Sequence, residues 1–549
     1  MTTIAQRREP LIVDGQPLTV VEVACTGLGI CERSLQTAPD LDDRMQVSVD
    51  LVSDAIRENR TIYGVTTGFG GMAGVAVDPE QAAASQHNLV AFLATGAGAA
   101  IDVRHTRAAM LLRANVMAQG CSGVRPELVR RLLRFLRAGA TPVVRELGSI
   151  GASGDLVPLS VIARAITGQT GFVNVQVGDR TIDAASALRE VDLEPIKLLP
   201  KEGLALVNGT SFSSAVAANC VYESRHLLAL ATAMQAMLMQ ALNVQQEPFD
   251  DFVHLKKAHP GQQWTARMMR MLLRQGQDTT NDQPQHIQDR YSLRCLPQYM
   301  GSIVEGLARI TKVVETEMNS VSDNPLIDVE EGRFCQSGNF LGQYVGLAMD
   351  DLRKYIGLMA KHLDVQIATL VTPEFSNGLP ASLRGNPDVP YNMGMKGLQI
   401  TGNSIMPMLT WYGNPIVDHY PTHAEQYNQN INGLSWGSAN LAWKSVELFQ
   451  HYLSVVMLFG VQSLDLRAWA RHGHYDGRVL LGSVLVDLYE AICKALDIEM
   501  NQERPLVFND VDHWIEQGLA SLAETIKGHG AVVEAVDPVL QLFDEEFSG

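Results

Sequence analysis

The segment Gly148-Ser149-Ile150-Gly151-Ala152-Ser153-Gly154-Asp155 carries the least ordinary chemistry in the chain. Three glycines in seven residues let the backbone reach conformations that a side chain forbids, so composition alone makes the segment a turn. Within Ala152-Ser153-Gly154, the Gly154 nitrogen carries no neighbouring bulk. In a tight bend it can attack the Ala152 carbonyl. Closing that ring and losing water twice, once from Ser153, leaves an exocyclic methylidene, a strong electrophile. Ordinary side chains supply nucleophiles, acids and bases instead.

Further polar residues stand in apolar or glycine-rich surroundings. Asn208 lies in Val207-Asn208-Gly209-Thr210, and Gln288, Tyr291 and Arg294 share one short stretch. If that stretch is helical, those three fall on one face. Arg294 then presents a planar fork suited to a carboxylate. Asp323-Asn324-Pro325 and Ser337-Gly338-Asn339-Phe340 read as loops, and Glu425 and Gln429 are one helical turn apart. Taken singly, each is a satisfied core polar group or a cap. Their joint occurrence carries the argument.

Competing motifs fail on context. Gly68-x-Gly70-x-x-Ala73 has the letters of a dinucleotide fingerprint but follows Glu58-Asn59-Arg60-Thr61, not a buried strand. A serine-hydrolase elbow needs glycine where Asp155 stands, and nothing selects a partner histidine for a triad. His419 and His423 flank Pro421 without an HExxH pattern, and His472-Gly473-His474 reads as surface loop. The expectation is therefore no metal and no nucleotide.

These residues need a large frame, and the composition provides one. The chain has 549 residues, 46% apolar and 19% charged, as in a well-buried globular protein. A net charge of −17 disfavours nucleic acid and anionic membranes as partners. Seven scattered cysteines without CxxC spacing, and a start lacking an apolar core, predict a cytoplasmic protein with reduced thiols. Residues 227–244 approach membrane-spanning length, but Gln235, Gln240 and Asn243 interrupt them and favour the centre of a bundle.

Along the chain, residues 11–20 read as two strands around Asp14-Gly15, and 172–183 as a second hairpin. Helices are predicted over 40–58, 79–95, 103–118 and from Pro126 to Gly139. Residues 64–74 hold too much glycine for a helix or strand and form a long loop. After about residue 215, long helical stretches cover roughly 216–244, 263–275, 296–320, 339–371 and 435–464. Prolines from 373 to 421 mark irregular connections, and 478–545 reads as an acidic helical cap. The expected fold is mainly α: a mixed domain, 1–215, with small strands, then a long-helix bundle, 216–549.

Together these stretches resemble the ammonia-lyase and aminomutase family whose prosthetic group is 4-methylidene-imidazol-5-one. Ala152-Ser153-Gly154 in its setting is the signature of that family. The resemblance extends through Tyr63-Gly64-Val65-Thr66-Thr67-Gly68-Phe69-Gly70, Asn208-Gly209-Thr210-Ser211, 288–295, Asp323-Asn324-Pro325-Leu326 and 425–430. It covers most of the chain.

The resemblance implies a self-made cofactor from Ala152, Ser153 and Gly154. It makes Tyr63 the general base, with a pKa lowered by its surroundings, and the loop around it a lid. Asn208 contacts the ring; Arg294 binds the substrate carboxylate beside Asn324 and Tyr291. Gln288, Phe340, Lys396, Glu425 and Gln429 line the pocket, with Glu425 near the departing amine. The implied assembly is a homotetramer of dihedral symmetry, each active site built from three chains.

The pair after Asn88-Leu89-Val90-Ala91 sorts aromatic substrates in this family, and here it is Phe92-Leu93. With Leu156 and Leu204 this wall leaves a phenol hydroxyl unpaired, at a cost of about 1–3 kcal/mol. His87 points elsewhere. The expected reaction is L-phenylalanine to trans-cinnamate and ammonia. An aromatic 2,3-aminomutase uses the same residues, a tyrosine-selective lyase is a further alternative, and a non-catalytic helical scaffold is the remote one. The short terminal stretches resemble bacterial members.

Overall fold

The computed structural model describes residues 9–31, 33–168, 173–274, 287–498, 500, 502–512 and 515–547. Helices dominate it, and the strands are short: none exceeds four residues among those described. The predicted helices are present as Leu41–Arg57, Ala82–Phe92, Val103–Ala118 and Pro126–Arg137, then Ser211–Leu242, Pro260–Arg274, Leu296–Met318, Gln343–Leu370 and Ser435–His472. Residues 227–244 fall almost wholly in the first of the long helices, buried along nearly its whole length. Among the described residues, one helix, Ser435–His472, is long and apolar enough to cross a membrane; 89% of its most apolar window is buried inside the protein.

Two local expectations are corrected. Asp14-Gly15 does not turn a hairpin. Leu11–Val13 pairs in parallel with Leu35–Thr37, and Asn115 holds the turn by accepting from Gly15 N at 3.0 Å and donating to Gln16 O at 2.9 Å. The second strand is pre-empted by a capping box, in which Thr19 and Glu22 satisfy each other's amides and start the helix Val20–Leu28. The proline-rich region also holds a helix, Lys396–Tyr412, with Pro407 inside it. The later hairpin holds as Asn174–Val177 paired with Arg180–Asp183, while residue 172 lies outside the described residues.

The chain packs into two compact units. The first comprises 1–222, 310–350 and 415–443; the second comprises 223–309, 351–414 and 444–549. The single cut expected at residue 215 is thus replaced by an interleaved division. Four of the long helices contribute residues to both units, so neighbours in sequence belong to different packing clusters. In the first unit, Val52, Ala55, Ile62, Val65 and Ile327 form a buried cluster. Ile62 and Val65 flank Tyr63, so the loop is anchored in the core on both sides of that residue. Ile327 comes from a hairpin, Leu326–Asp328 with Arg333–Cys335, that the sequence reading missed. In the second unit, buried Arg467 donates to the carbonyls of Ala241, in the last turn of the helix Ser211–Leu242, and of Ser376 and Asn377 in a loop, tying the two together.

Candidate active site

The triplet Ala152-Ser153-Gly154 stands between two glycines in the left-handed region, Gly151 at φ +64° and Gly154 itself at φ +68°. A Cβ at Gly151 would stand 2.5 Å from Ser435 Oγ, and one at Gly154 would overlap the Gly209 backbone. Only glycine suits either place. Ser149 Oγ lies 3.2 Å from both Gly154 O and Asp155 Oδ1, and accepts from Gly151 N at 3.1 Å. Asp155 is fully buried; it accepts from Ser213 N at 2.7 Å, and burial pushes its carboxyl up to about 6. The bend is therefore tied down from both ends.

Asn208 ends the short helix Glu202–Val207. Its Nδ2 donates to Ser153 O at 2.9 Å, while its buried Oδ1 has no hydrogen-bond partner among the described residues. Gln429 Nε2 donates to Ser153 Oγ at 3.0 Å. Arg113, fully buried, fixes Asn208 by donating to its carbonyl at 3.2 Å and to Ser322 O at 3.0 Å. Sequence reading missed Arg113; its only signal was a charge in the otherwise uncharged run 108–118 of its helix. The Asn208 amide donor on Ser153 O, the orphaned Asn208 oxygen and glycine cradles on both sides fit the ring that 152–154 would form, while Gln429 meets the hydroxyl that ring closure expels.

Across the cavity, Tyr63 Oη accepts from Gly70 N at 2.9 Å. Burial pushes the Tyr63 phenol above its ordinary value; the Gly70 amide works against this, and the Glu425 charge adds to it. The expectation of a lowered pKa is thus corrected for the chain alone, where one amide does not outweigh desolvation. The loop lies directly on Glu425, since a Cβ at Gly70 would overlap its carboxylate. Burial also raises Glu425, opposed by its hydrogen bonds to Asn428 and Gln429.

Glu425 and Gln429 both reach the cavity, but not by an ordinary helical turn. Glu425, Gln426 and Tyr427 have φ of 51°, 51° and 67°, three left-handed residues in succession. Each costs about 1–2 kcal/mol. Paired bonds between Ala424 and Gln429, at 3.0 and 3.2 Å, close the turn and hold it. Asn324 is held by its Oδ1, which accepts from Ser337 N at 2.7 Å. Next to it, Asp323 pairs with Lys201 at 2.7 Å, both side chains wholly buried.

These groups converge on one cavity of about 420 Å³ within the first unit. Tyr63, Ala152, Ser153, Asn208, Asn324, Glu425 and Gln429 line it, with Phe92, Leu156, Leu204 and Phe340. Leu93 does not. It is buried, with its carbonyl accepting from Ser160 Oγ at 3.2 Å. Adjacent helical residues diverge, so the face of Phe92 is completed by Leu89, three residues earlier. Phe69 and Gln336 also line the cavity and were not singled out from sequence. His87 does point away, accepting from Leu198 N at 3.0 Å.

Gln288, Tyr291, Arg294 and Lys396 belong to the second unit, and none lines this cavity. The expected shared helical face shrinks to a single turn, Tyr291–Arg294, with Gln288 outside it. The Arg294 guanidinium lies 4.6 Å from the Tyr291 ring centre, and its Nε donates to Asp289 O at 3.0 Å. Lys396 is exposed at the first position of its helix.

Comparison with known proteins agrees with this geometry. The family described as "Aromatic amino acid lyase" matches residues 18–484. A phenylalanine ammonia-lyase of Nostoc punctiforme is 48% identical over 535 residues, covering 96% of this chain and 94% of that protein. An aromatic ammonia-lyase of Loktanella atrilutea is 39% identical, covering 97% and 99%. The solved tyrosine aminomutase of Streptomyces globisporus has a TM-score of 0.85 at 26% identity, covering 96% of this chain and 98% of that one. A match of this extent, joined to a cavity that gathers the triplet with Tyr63, Asn208 and Glu425, makes the chain a member of the aromatic amino acid lyase family.

Proposed function

We propose that this carbon–nitrogen lyase converts L-phenylalanine to trans-cinnamate and ammonia. The observation that carries the reading is the convergence of Tyr63, Ser153, Asn208 and Glu425 on one cavity with an apolar wall of Leu89, Phe92, Leu156 and Leu204. The likeness to the Nostoc phenylalanine ammonia-lyase supports it. Closed into 4-methylidene-imidazol-5-one, residues 152–154 would supply an electrophilic carbon for the substrate's amine. Asn208 would hold that group through Ser153 O, the oxygen that survives ring closure.

On the substrate, Tyr63 Oη takes the β-proton, and the C–H electron pair becomes the new double bond. The amine leaves with the C–N pair. Glu425, raised by burial, stands ready to hold a proton of the departing amine. The apolar wall receives the phenyl ring. A tyrosine hydroxyl finds no partner there, so kcat/KM for tyrosine should be about 5- to 150-fold lower. Incubation with L-phenylalanine, following cinnamate, ammonia and β-phenylalanine together, tests this. Stoichiometric cinnamate and ammonia is the expected result. β-Phenylalanine as the main early product would show an aminomutase instead, and faster coumarate from tyrosine would overturn the specificity.

A substrate carboxylate needs a cation, and no lysine or arginine is among the described residues that line the cavity. A homotetramer of dihedral symmetry answers this, with Arg294 and Tyr291 supplied by a second subunit and Gln288 and Lys396 also at shared sites. Complementation follows. Tyr63→Phe and Arg294→Met homomers should each be strongly impaired, and co-expression should raise activity well above either homomer through sites that inherit both intact residues. No recovery in verified mixed oligomers would overturn the shared site.

A further inference from the structure

Gln86 is completely buried within the helix Ala82–Phe92. Both ends of its side-chain amide are used. Nε2 donates to the Gly64 carbonyl at 2.8 Å, and Oε1 accepts from the Leu204 amide at 2.9 Å. The other Nε2 hydrogen faces Ser85 Oγ at 3.5 Å, the limit of a hydrogen bond. A carbonyl on one side and an N–H on the other fix which way the amide faces.

Each partner leads into the site. Gly64 directly follows Tyr63. Its amide donates to Thr67 Oγ1 at 3.1 Å, and a Cβ on it would stand 2.7 Å from Leu204 Cδ2. Gly64 is thus held at its carbonyl, its amide and its α-carbon. Leu204 lies in the first turn of Glu202–Val207, where backbone amides lack an intrahelical acceptor. Gln86 supplies that acceptor. The same short helix ends at Asn208, which donates to Ser153 O. The helix that carries Gln86 also carries Leu89 and Phe92 of the apolar wall.

We propose that Gln86 is a positioning residue for the Tyr63 base, joining in one side chain the base loop, the helix of the apolar wall and the short helix that ends at Asn208. The inference rests on Tyr63 being the base. Gln86 touches no substrate. It fixes where the phenol stands relative to the β-carbon, and a displacement of about 1 Å there costs on the order of 100-fold in rate.

Gln86→Met keeps the length of the side chain and removes both hydrogen bonds. The expected result is a kcat lower by about 10- to 100-fold with little change in KM, and an intact near-ultraviolet band from residues 152–154. The decisive arm is the same substitution in a Tyr63→Phe background. With no base left to position, the residual rate should change by less than about twofold. Equal losses in both backgrounds would overturn the proposal, because a merely structural glutamine harms both alike.

Gln86→Glu gives an independent arm if the methionine variant fails to fold. A protonated carboxyl still donates to Gly64 O, whereas an ionised one has no proton to give. Activity of this variant should therefore fall relative to wild type as pH rises through that titration. A pH profile and kcat matching wild type would overturn the proposal. If Tyr63→Phe leaves the wild-type rate unchanged, the base reading fails and this inference fails with it. If Tyr63→Phe loses most of its rate and only the coupling is missing, the base reading stands and the positioning role falls.

Discussion

Ser153→Ala should abolish cinnamate formation and remove the near-ultraviolet shoulder of the protein in the same step, with the fold retained. The loss follows from chemistry that no other residue supplies. Without the Ser153 hydroxyl there is no second loss of water and no methylidene carbon. Tyr63 and Glu425 then face a substrate whose amine is a poor leaving group. Losing a covalent partner of this kind costs at least about a thousandfold in turnover. The structural cost is small by comparison. Ser153 Oγ accepts one hydrogen bond, from Gln429 Nε2, in the unclosed chain; ring closure expels that oxygen in wild type too, so the alanine variant forfeits no hydrogen bond that the closed enzyme keeps. Activity and stability therefore separate at this position. They do not separate at Gly154, where any Cβ overlaps the Gly209 backbone and a substitution would disturb the fold and the chemistry together. Turnover within tenfold of wild type, or superimposable absorbance spectra, would sink the electrophile assignment.

Much of this site could be read from the letters because its chemistry is local. The triplet 152–154 is contiguous, and the glycine run after Tyr63 announces a loop whatever surrounds it. Long helices such as Leu296–Met318 were legible for the same reason, since periodicity is a property of a window. What escaped was decided by partners distant in sequence. The turn at Asp14-Gly15 is settled by Asn115, one hundred residues on. Glu425 and Gln429 have the spacing of a right-handed turn, yet they meet through three left-handed residues that only the surrounding packing can enforce. Leu93 follows Phe92 in sequence but not in direction, so helix geometry gives its place to Leu89. Arg113 and Gln86 carry no motif at all. Each matters because backbone carbonyls and amides from separate segments converge on it.

Tyr63→Phe should lower kcat by about 10²- to 10⁴-fold while leaving the absorbance of residues 152–154 and the thermal midpoint nearly unchanged. The substitution keeps the ring that fills the loop and removes only the oxygen that accepts from Gly70 N. Its pH signature distinguishes a base from a mere wall of the pocket. A general base acts when deprotonated, so kcat/KM of wild type should climb as pH rises through the titration of the phenol. Burial and the Glu425 charge both hold that titration above its ordinary value, while the Gly70 amide draws it down. Tyr63→Phe should erase the climb. Glu425→Gln should move it to lower pH, because one source of the upward shift is removed, and it should also lower the plateau through loss of the group beside the departing amine. Height and position thus report two different functions of Glu425. A climb that survives Tyr63→Phe would assign the proton transfer to another group. A limb that stays in place in Glu425→Gln would show that the carboxylate and the phenol, although brought together by Gly70, titrate independently.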